Sequence, residues 1–350
     1  DAESYLAQLT TRPGVYQMFD SQGELLYVGK AKNLKNRVTS YFRASGLSAK
    51  TMALVARIAN IEVTVTTTER DALLLEHNLI KQNRPPYNIL LKDDKSYPYI
   101  YLSSDDRWPR LSFHRGTKRR KGEYFGPYPS AGAVRSTLHL MQKVFKVRQC
   151  RDSYFRNRSR PCLQYQIGRC SGPCVGLVSD EEYQEQLDKT MLFLNGRSQD
   201  LLTKLADDME SAAAELEYEK AADIRDQISQ LQNVQATQNI EGTRGDLDLM
   251  AVFTEHGHAC VQVLFVREAR VLGSRSYYPQ IRLDESPEAI LEAFLPQFYL
   301  SGQQQIPQEI VTSHVIADGA LLEEALGTES GRKVVIKDKV RDARSRWLQM

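Results

Sequence analysis

The sequence predicts a multidomain α/β protein in four parts: a small α/β domain over residues 1–95, a basic cysteine-rich region over 96–178, a helical region over 179–240 and a second α/β domain over 245–350. Three observations predict it. Two short apolar runs joined by a polar turn open the chain, basic and acidic residues segregate into separate stretches, and strand-like runs return after residue 245. With 41% hydrophobic and 26% charged residues in 350, the composition is that of a globular protein and excludes a disordered or fibrous one. No apolar run approaches membrane-spanning length, and the acidic start Asp1-Ala2-Glu3-Ser4 is no signal peptide, so the expected setting is the cytoplasm, with no membrane partner. The missing initiator methionine points to trimming. The helix-like end at Arg346-Trp347-Leu348-Gln349-Met350 carries no stop signal and points to an incomplete chain.

In the first domain, Gly14 to Phe19 and Leu25 to Gly29 flank the turn Asp20-Ser21-Gln22-Gly23, which predicts a β-hairpin with Tyr16 and Tyr27 on one face. A helix is expected from Ala31, with Arg37 and Tyr41 four residues apart on one side of it. The alternation of Ile61-Glu62-Val63-Thr64-Val65-Thr66 predicts a half-buried strand, and Thr68 caps a helix running to about Lys81. Glu76 lies on that helix among Ala72, Leu73, Leu79 and Ile80. Burying a carboxylate is costly without a cation. Alone, Glu76 reads as a capped or ion-paired core residue; beside Tyr16, Tyr27, Lys30 and Arg37 it reads as part of a site.

The phrases Pro13-Gly14-Val15-Tyr16 and Tyr27-Val28-Gly29-Lys30-Ala31-Lys32-Asn33-Leu34 resemble the GIY-YIG nuclease domain as it occurs in the UvrC family of excinuclease subunits, and the similarity runs through all 350 residues. The resemblance implies a three-stranded antiparallel sheet with helices, and an endonuclease that cuts damaged double-stranded DNA 3′ to a bulky lesion using one divalent ion, Mg²⁺ or Mn²⁺. It assigns Glu76 to the metal, Arg37 and Tyr41 to the scissile phosphate, Asn88 to a supporting role, and Lys30, Tyr16 and Tyr27 to the neighbourhood of the attacking water. Phosphodiester hydrolysis needs a deprotonated water, a counter-charge for the phosphorane and help for the leaving 3′ oxygen. A free phenol, with pKa about 10, is protonated at neutral pH; the Lys30 ammonium and a nearby metal would lower it, making Tyr16 or Tyr27 the base. Arg37 offers phosphate oxygens a permanently charged planar fork. One carboxylate plus waters suits Mg²⁺, which dehydrates reluctantly.

Next comes the charged region. Residues 101–170 hold 16 lysines and arginines against 4 acids, a net of +12, which calls for a polyanion, expected to be DNA. Lys118, Arg119, Arg120 and Lys121 are expected to form the tip of a hairpin between Leu111–His114 and Glu123–Phe125, contacting the phosphate backbone. Tyr97, Tyr99, Tyr101, Trp108, Tyr124, Phe125 and Tyr128 interleave with these charges. They are expected to serve mostly as core, with stacking on unpaired bases as the other reading.

Cys150, Cys162, Cys170 and Cys174 cluster among arginines. Without a secretion signal, four thiolates around a metal is the better reading than disulfides. Their spacing is not that of a zinc ribbon and suits an iron–sulfur cluster at least as well. Resemblance to UvrC proteins favours a [4Fe–4S] cluster, with Zn²⁺ the alternative, and Gly172-Pro173 supplies a tight turn. Cys260 reads as a buried strand residue.

Ser179 and Glu182 form a capping box for a helix ending near Gly196. Leu201, Leu205, Met209 and Ala212, then Ala221, Ile224, Ile228 and Leu231, make two apolar stripes of a helical hairpin over 199–233 turning at Leu216-Glu217-Tyr218. This acidic stretch resembles the UVR motif shared by UvrC and UvrB, which implies UvrB as partner, with Leu216, Tyr218, Ala221, Ile224 and Ile228 on the contacting seam. A hairpin packed only on its own chain is the competing reading.

In the last third, runs at Leu249–Phe253, Ala259–Val266, Val271–Gly273 and Ser274–Tyr278 predict a meander. They are followed by a helix over Pro287–Phe298, a strand over Glu309–Val315 and a helix over Leu321–Leu326. His256-Gly257-His258 reads as a turn rather than a ligand pair. The resemblance implies a lead-in to the family's second nuclease half, itself ribonuclease-H-like but without a complete acid set, so that at most the 3′ incision is expected here. A DNA-binding scaffold with a silent site and a stand-alone restriction or homing nuclease are the competing functions. The complete tyrosine, arginine and glutamate set argues against the first, and the cysteines and hairpin argue against the second.

Overall fold

The computed structural model describes residues 2–42, 46–91, 96–104, 107–238, 245–267, 270–283 and 285–338, with side chains of residues 2, 3, 234–238 and 270 left aside. The expected helix at Arg346–Met350 lies outside the described residues. The chain divides into two compact units, one formed by residues 1–94, 248–263 and 276–350, the other by 95–247 and 264–275.

The first unit begins with helix α1 (Ala2–Gln8), the hairpin β1 (Gly14–Phe19) and β2 (Leu25–Ala31), helices α2 (Leu34–Ser40) and α3 (Ala49–Val55), strand β3 (Asn60–Val65) and helix α4 (Glu69–Asn83). The antiparallel sheet has the order β2-β1-β3, so β2 is an edge strand. Alternation gives β1 two buried faces. Tyr16 and Met18 join Leu26, Leu34, Val38 and Leu54 on one side, while Val15 and Val28 meet Ala72 and Ile80 on the other. The expected hairpin and α4 are present. Thr68 and Asp71 cap α4 reciprocally, so two orphan amides are satisfied at the helix start. Helix α2 starts later than Ala31, because β2 runs on through Ala31 and the Asn33 side chain accepts from the Asn36 amide to start the helix.

In the remainder of this part of the chain, β7 (Leu247–Glu255), β8 (His258–Arg267), β9 (Arg270–Tyr277), β10 (Glu309–Thr312) and β11 (Val335–Lys337) form a sheet of order β11-β10-β7-β8-β9, with β10 and β11 parallel. Helices α11 (Pro287–Tyr299) and α12 (Gly319–Ser330) accompany it. The two runs expected over 271–278 are a single strand, and β11 was not legible because three residues carry no period. His256 and Gly257, with φ of 49° and 79°, make the two-residue turn between β7 and β8.

The second unit opens with β4 (Pro98–Ser103), β5 (Leu111–Arg115) and β6 (Gly122–Phe125). Their order is β5-β4-β6, so β5 and β6 are not the hairpin the sequence suggested: β4 lies between them and residues 116–121 cross its end. The reason is burial. Ile100, Tyr101 and Leu102 of β4 are all buried, and an apolar strand takes the central place. Helices α5 (Ala131–Phe145), α6 (Asp152–Arg156), α7 (Leu163–Gln166), α8 (Asp180–Leu194), α9 (Ser198–Ala214) and α10 (Tyr218–Gln238) follow. Val134 and Met141 of α5, Tyr183 and Leu187 of α8, Leu201 and Leu205 of α9, and Ile224 and Leu231 of α10 share one core with Ile100 and Leu111. The Ser179–Glu182 capping box is present, and Leu216, at φ 61°, makes the turn between α9 and α10. Among the described residues, no helix is long and apolar enough to cross a membrane.

Candidate active site

Edge strand β2 brings the two faces of the N-terminal sheet together around Gly29. From one face, Tyr16, Tyr27 and Tyr41 form a triangle of rings with centroids 6.1, 5.9 and 6.3 Å apart. The Tyr16 and Tyr41 hydroxyls are 2.9 Å apart, Arg37 Nε donates to Tyr16 Oη at 3.2 Å, and the guanidinium lies 5.5 Å from the Tyr41 ring centre. From the other face, Glu76 Oε1 accepts the Lys30 backbone N–H at 3.0 Å. Gly29 is required for this meeting, since a Cβ there would stand 2.3 Å from Tyr16 Oη. Asn88 works at the same strand: its Oδ1 accepts from Val28 N at 2.8 Å and its Nδ2 donates to Val28 O at 2.7 Å. It thereby supplies both bonds that a neighbouring strand would have made.

A cavity of about 200 Å³ is lined by Tyr16, Tyr27, Lys30, Arg37, Glu76 and Asn88, together with Glu285 and Glu292. A second, of about 470 Å³, shares Lys30 and Arg37 and adds Asp318. Every nuclease residue named from the sequence except Tyr41 lines the first cavity, and Tyr41 touches it through Tyr16. Lys30 Nζ forms ion pairs with Asp318 and, at 3.5 Å, with Glu292. These acids were not found from the sequence, because they lie 262 and 288 positions away and no motif links them to the site.

Burial governs the electrostatics. It pushes Glu76 up to about 7, against the opposing pull of the Lys30 ammonium and the Lys30 N–H bond. Burial also raises Tyr16 and Tyr27 well above the ordinary phenol value. The expectation that Lys30 lowers a phenol needs correction. Its ammonium is turned to carboxylates, and although burial pulls Lys30 down, Glu76, Asp318 and Glu292 leave it above its usual value. The group that favours a phenolate is Arg37, at Tyr16.

Cys150 is exposed, Cys162, Cys170 and Cys174 are half-buried, and all are free thiols. Burial, against a backbone hydrogen bond at Gly172 and with smaller contributions from Cys150, Cys162 and Cys174, raises Cys170 to about 11. Among the described residues, however, no group of three or more His, Cys, Asp or Glu is arranged to hold a metal ion, and the expected [4Fe–4S] or zinc ligand sphere is not formed. Gly172, at φ 77°, does make the expected tight turn ahead of the short 3₁₀ segment Pro173–Val175. Cys260 is on β8, half-buried rather than buried.

Lys118, Arg119, Arg120 and Lys121 are exposed. Of the interleaved aromatics, Tyr97, Tyr101, Phe125 and Tyr128 are buried, as expected for core, and Tyr99 and Tyr124 are half-buried. On the helical hairpin, Leu216 and Tyr218 are 69% and 66% exposed, which leaves them open to a partner. Ile224 is not: it is buried in the unit's own core with Leu231, and Ile228 packs beside it, because α10 closes on α9 and α5. The expected continuous seam is therefore reduced to the hairpin tip and to Ala221, which is partly exposed.

The first of these sites is that of a GIY-YIG domain, with paired tyrosines, an arginine and a glutamate around one cavity. Comparison with known proteins agrees: residues 12–89 match the UvrC-like GIY-YIG domain, 97–193 the UvrC/Cho excinuclease middle domain, 199–234 the UvrB/uvrC motif and 246–350 the UvrC ribonuclease H-like domain. The chain belongs to the UvrC family. It is 56% identical to UvrABC system protein C of Pseudomonas aeruginosa, over all of this chain and 58% of that protein, and equally similar to that of Pseudomonas putida. It thus spans less than two thirds of the length of these relatives. Among solved structures, the GIY-YIG N-terminal endonuclease domain of UvrC from Thermotoga maritima, bound to magnesium, is 36% identical over 25% of this chain and 93% of that one, with a TM-score of 0.23.

Proposed function

We propose that this chain is a metal-dependent DNA endonuclease of nucleotide excision repair, working in the cytoplasm, which makes the incision 3′ to a lesion after recruitment by UvrB. The convergence of Tyr16, Tyr27, Lys30, Arg37 and Glu76 on one cavity beside β2 carries this reading. Glu76 suits a single Mg²⁺ or Mn²⁺: it lines the cavity, has one oxygen bonded to Lys30 N and no other hydrogen bond among the described residues, and its raised pKa is what a cation would reverse. When bound, such an ion polarises the phosphate and acidifies water.

The protein groups supply the rest. Tyr16 is favoured over Tyr27 as base, since Arg37 Nε–H reaches its oxygen and favours a phenolate there. Tyr16 accepts the proton as the water oxygen bonds to phosphorus. The P–O3′ bond breaks, and its electron pair leaves on the 3′ oxygen, which takes a proton from solvent. Arg37 offers its remaining N–H groups to the non-bridging oxygens. Asn88 supports the site by holding Val28 and hence Tyr27 and Gly29 in register.

Leu216, Tyr218 and Ala221 form the surface offered to UvrB, in place of the longer seam. The four neighbouring cysteines support a [4Fe–4S] cluster through their thiol chemistry alone, with zinc the alternative. Iron and zinc analysis of protein purified without oxygen decides between them.

The test is incision of a lesion-bearing duplex by this chain with UvrB and Mg²⁺. Glu76→Gln is expected to abolish the 3′ nick; a nick at the unaltered rate overturns the assignment.

A further inference from the structure

The basic residues 118–121 belong to a segment whose backbone is tied to rings on the underlying sheet. Register places Tyr99, Tyr101, His114 and Tyr124 on one face: Tyr99 pairs with His114 and Tyr101 with Tyr124. The rings are in contact, with centroids 4.9 Å apart for Tyr101–Tyr124 and for His114–Tyr124. From this face two phenols reach the loop. Tyr124 Oη donates to Arg120 O at 3.0 Å and accepts from Arg120 N at 3.1 Å, while Tyr101 Oη donates to Lys121 O at 2.7 Å. A third contact comes from the loop itself, where Lys118 Nζ sits 4.1 Å from the Tyr99 ring centre and 5.7 Å from that of Tyr124. Gly122, at φ 146°, lets the chain leave the loop close over Tyr101; a Cβ there would meet the ring at 2.7 Å.

Four cations in a row repel one another, and a free loop would spread them. Here Lys118 is parked on rings, whereas Arg119, Arg120 and Lys121 are exposed with no ion pair among the described residues. We infer that Tyr101 and Tyr124 are positioning residues, which hold this loop in advance in the shape that sets Arg119, Arg120 and Lys121 against consecutive phosphates of a DNA duplex. The energetic logic is that of preorganisation. Backbone ordering is completed on folding rather than on binding, so the same charges bind more tightly. A phosphodiester backbone is the fitting ligand because the segment's charge is strongly of one sign and the three free side chains are donors only.

This inference rests on the assignment of the loop to DNA, and the experiment separates the two. Binding of a fluorescent undamaged duplex to the full chain is measured across a salt series, with melting temperature recorded for each variant. Replacing Arg119, Arg120 and Lys121 together by alanine removes three phosphate contacts, so the slope of log affinity against log salt should fall by about 2.7. Tyr124→Phe and Tyr101→Phe keep the rings and every charge. Each is expected to weaken binding about three- to tenfold with the slope unaltered, since what is lost is loop order and not charge. A fall in affinity with the slope also reduced, or no fall at all in either variant at unchanged melting temperature, overturns the positioning role. An unaltered slope in the triple variant overturns the DNA assignment beneath it, and retained binding of an acidic protein partner would then give the loop to that class instead.

Discussion

The tyrosine site and the basic loop both use phenols and cations, in opposite ways. At Gly29 the protein buries its polar groups, and their properties depart from those in water: Glu76 is raised to about 7, and the phenols are raised beyond their free value. At residues 118–121 the cations stay in solvent, where their charge is screened and additive. Under the proposed function, chemistry at a phosphorus atom draws on a few groups with altered energies, whereas grip on a DNA backbone draws on many groups with ordinary ones.

The largest effect that could break this contrast is on catalysis. Arg37→Ala removes both the proposed phosphate donor and the cation beside Tyr16, and is expected to reduce incision by about 10²–10³-fold. The fold should be retained, as near-native circular dichroism and a melting temperature within a few degrees would verify. A comparable loss of incision from Arg119→Ala would erase the distinction between the regions.

Next in size is the pH response of Glu76. Its folded value of about 7 lies above the unfolded value, so in metal-free protein the carboxylate costs stability as pH rises from the unfolded value through 7. The cost is on the order of 3 kcal/mol at pH 8. Below the unfolded value the cost is absent. Urea unfolding with and without Mg²⁺ checks this: the ion should restore the loss at pH 8 and do little at pH 5, and Glu76→Gln should flatten the metal-free profile.

A smaller effect, about 1–3 kcal/mol, is expected for Gly29→Ala, whose methyl group collides with Tyr16 Oη. Incision should fall with it, since the phenol must move. Smallest in stability is the hairpin tip. Leu216→Asp should change unfolding free energy by about 0.5 kcal/mol or less, because the side chain is exposed, while weakening UvrB capture measured by calorimetry.

Much of the proposed nuclease site was legible because its parts are local signals. A turn ending in glycine set the hairpin, a four-residue spacing set Arg37 over Tyr41, and Thr68 started the helix that carries Glu76. What could not be read lies in long-range packing. Asp318 and Glu292 reach Lys30 from the far end of the sequence, and nothing in their surroundings marks them. The order β5-β4-β6 was misjudged since a short polar link looks the same whether it joins neighbours or skips a strand. The sequence sets Ile224 on an open seam because an apolar stripe does not say which surface covers it, and α9 and α5 do. The cysteines gave a strong sequence signal whose geometry the fold leaves looser than a ligand sphere.

The clasp of Asn88 on Val28 has a consequence beyond the site. With Tyr87 N–H bonded to Leu26 O at 3.1 Å, residues 87 and 88 occupy the outward amides and carbonyls of β2 along three residues. An unguarded strand margin invites pairing with another molecule's backbone, the first step towards aggregation. Here that margin is sealed, so Asn88→Ala should leave dispersed protein that clumps on storage.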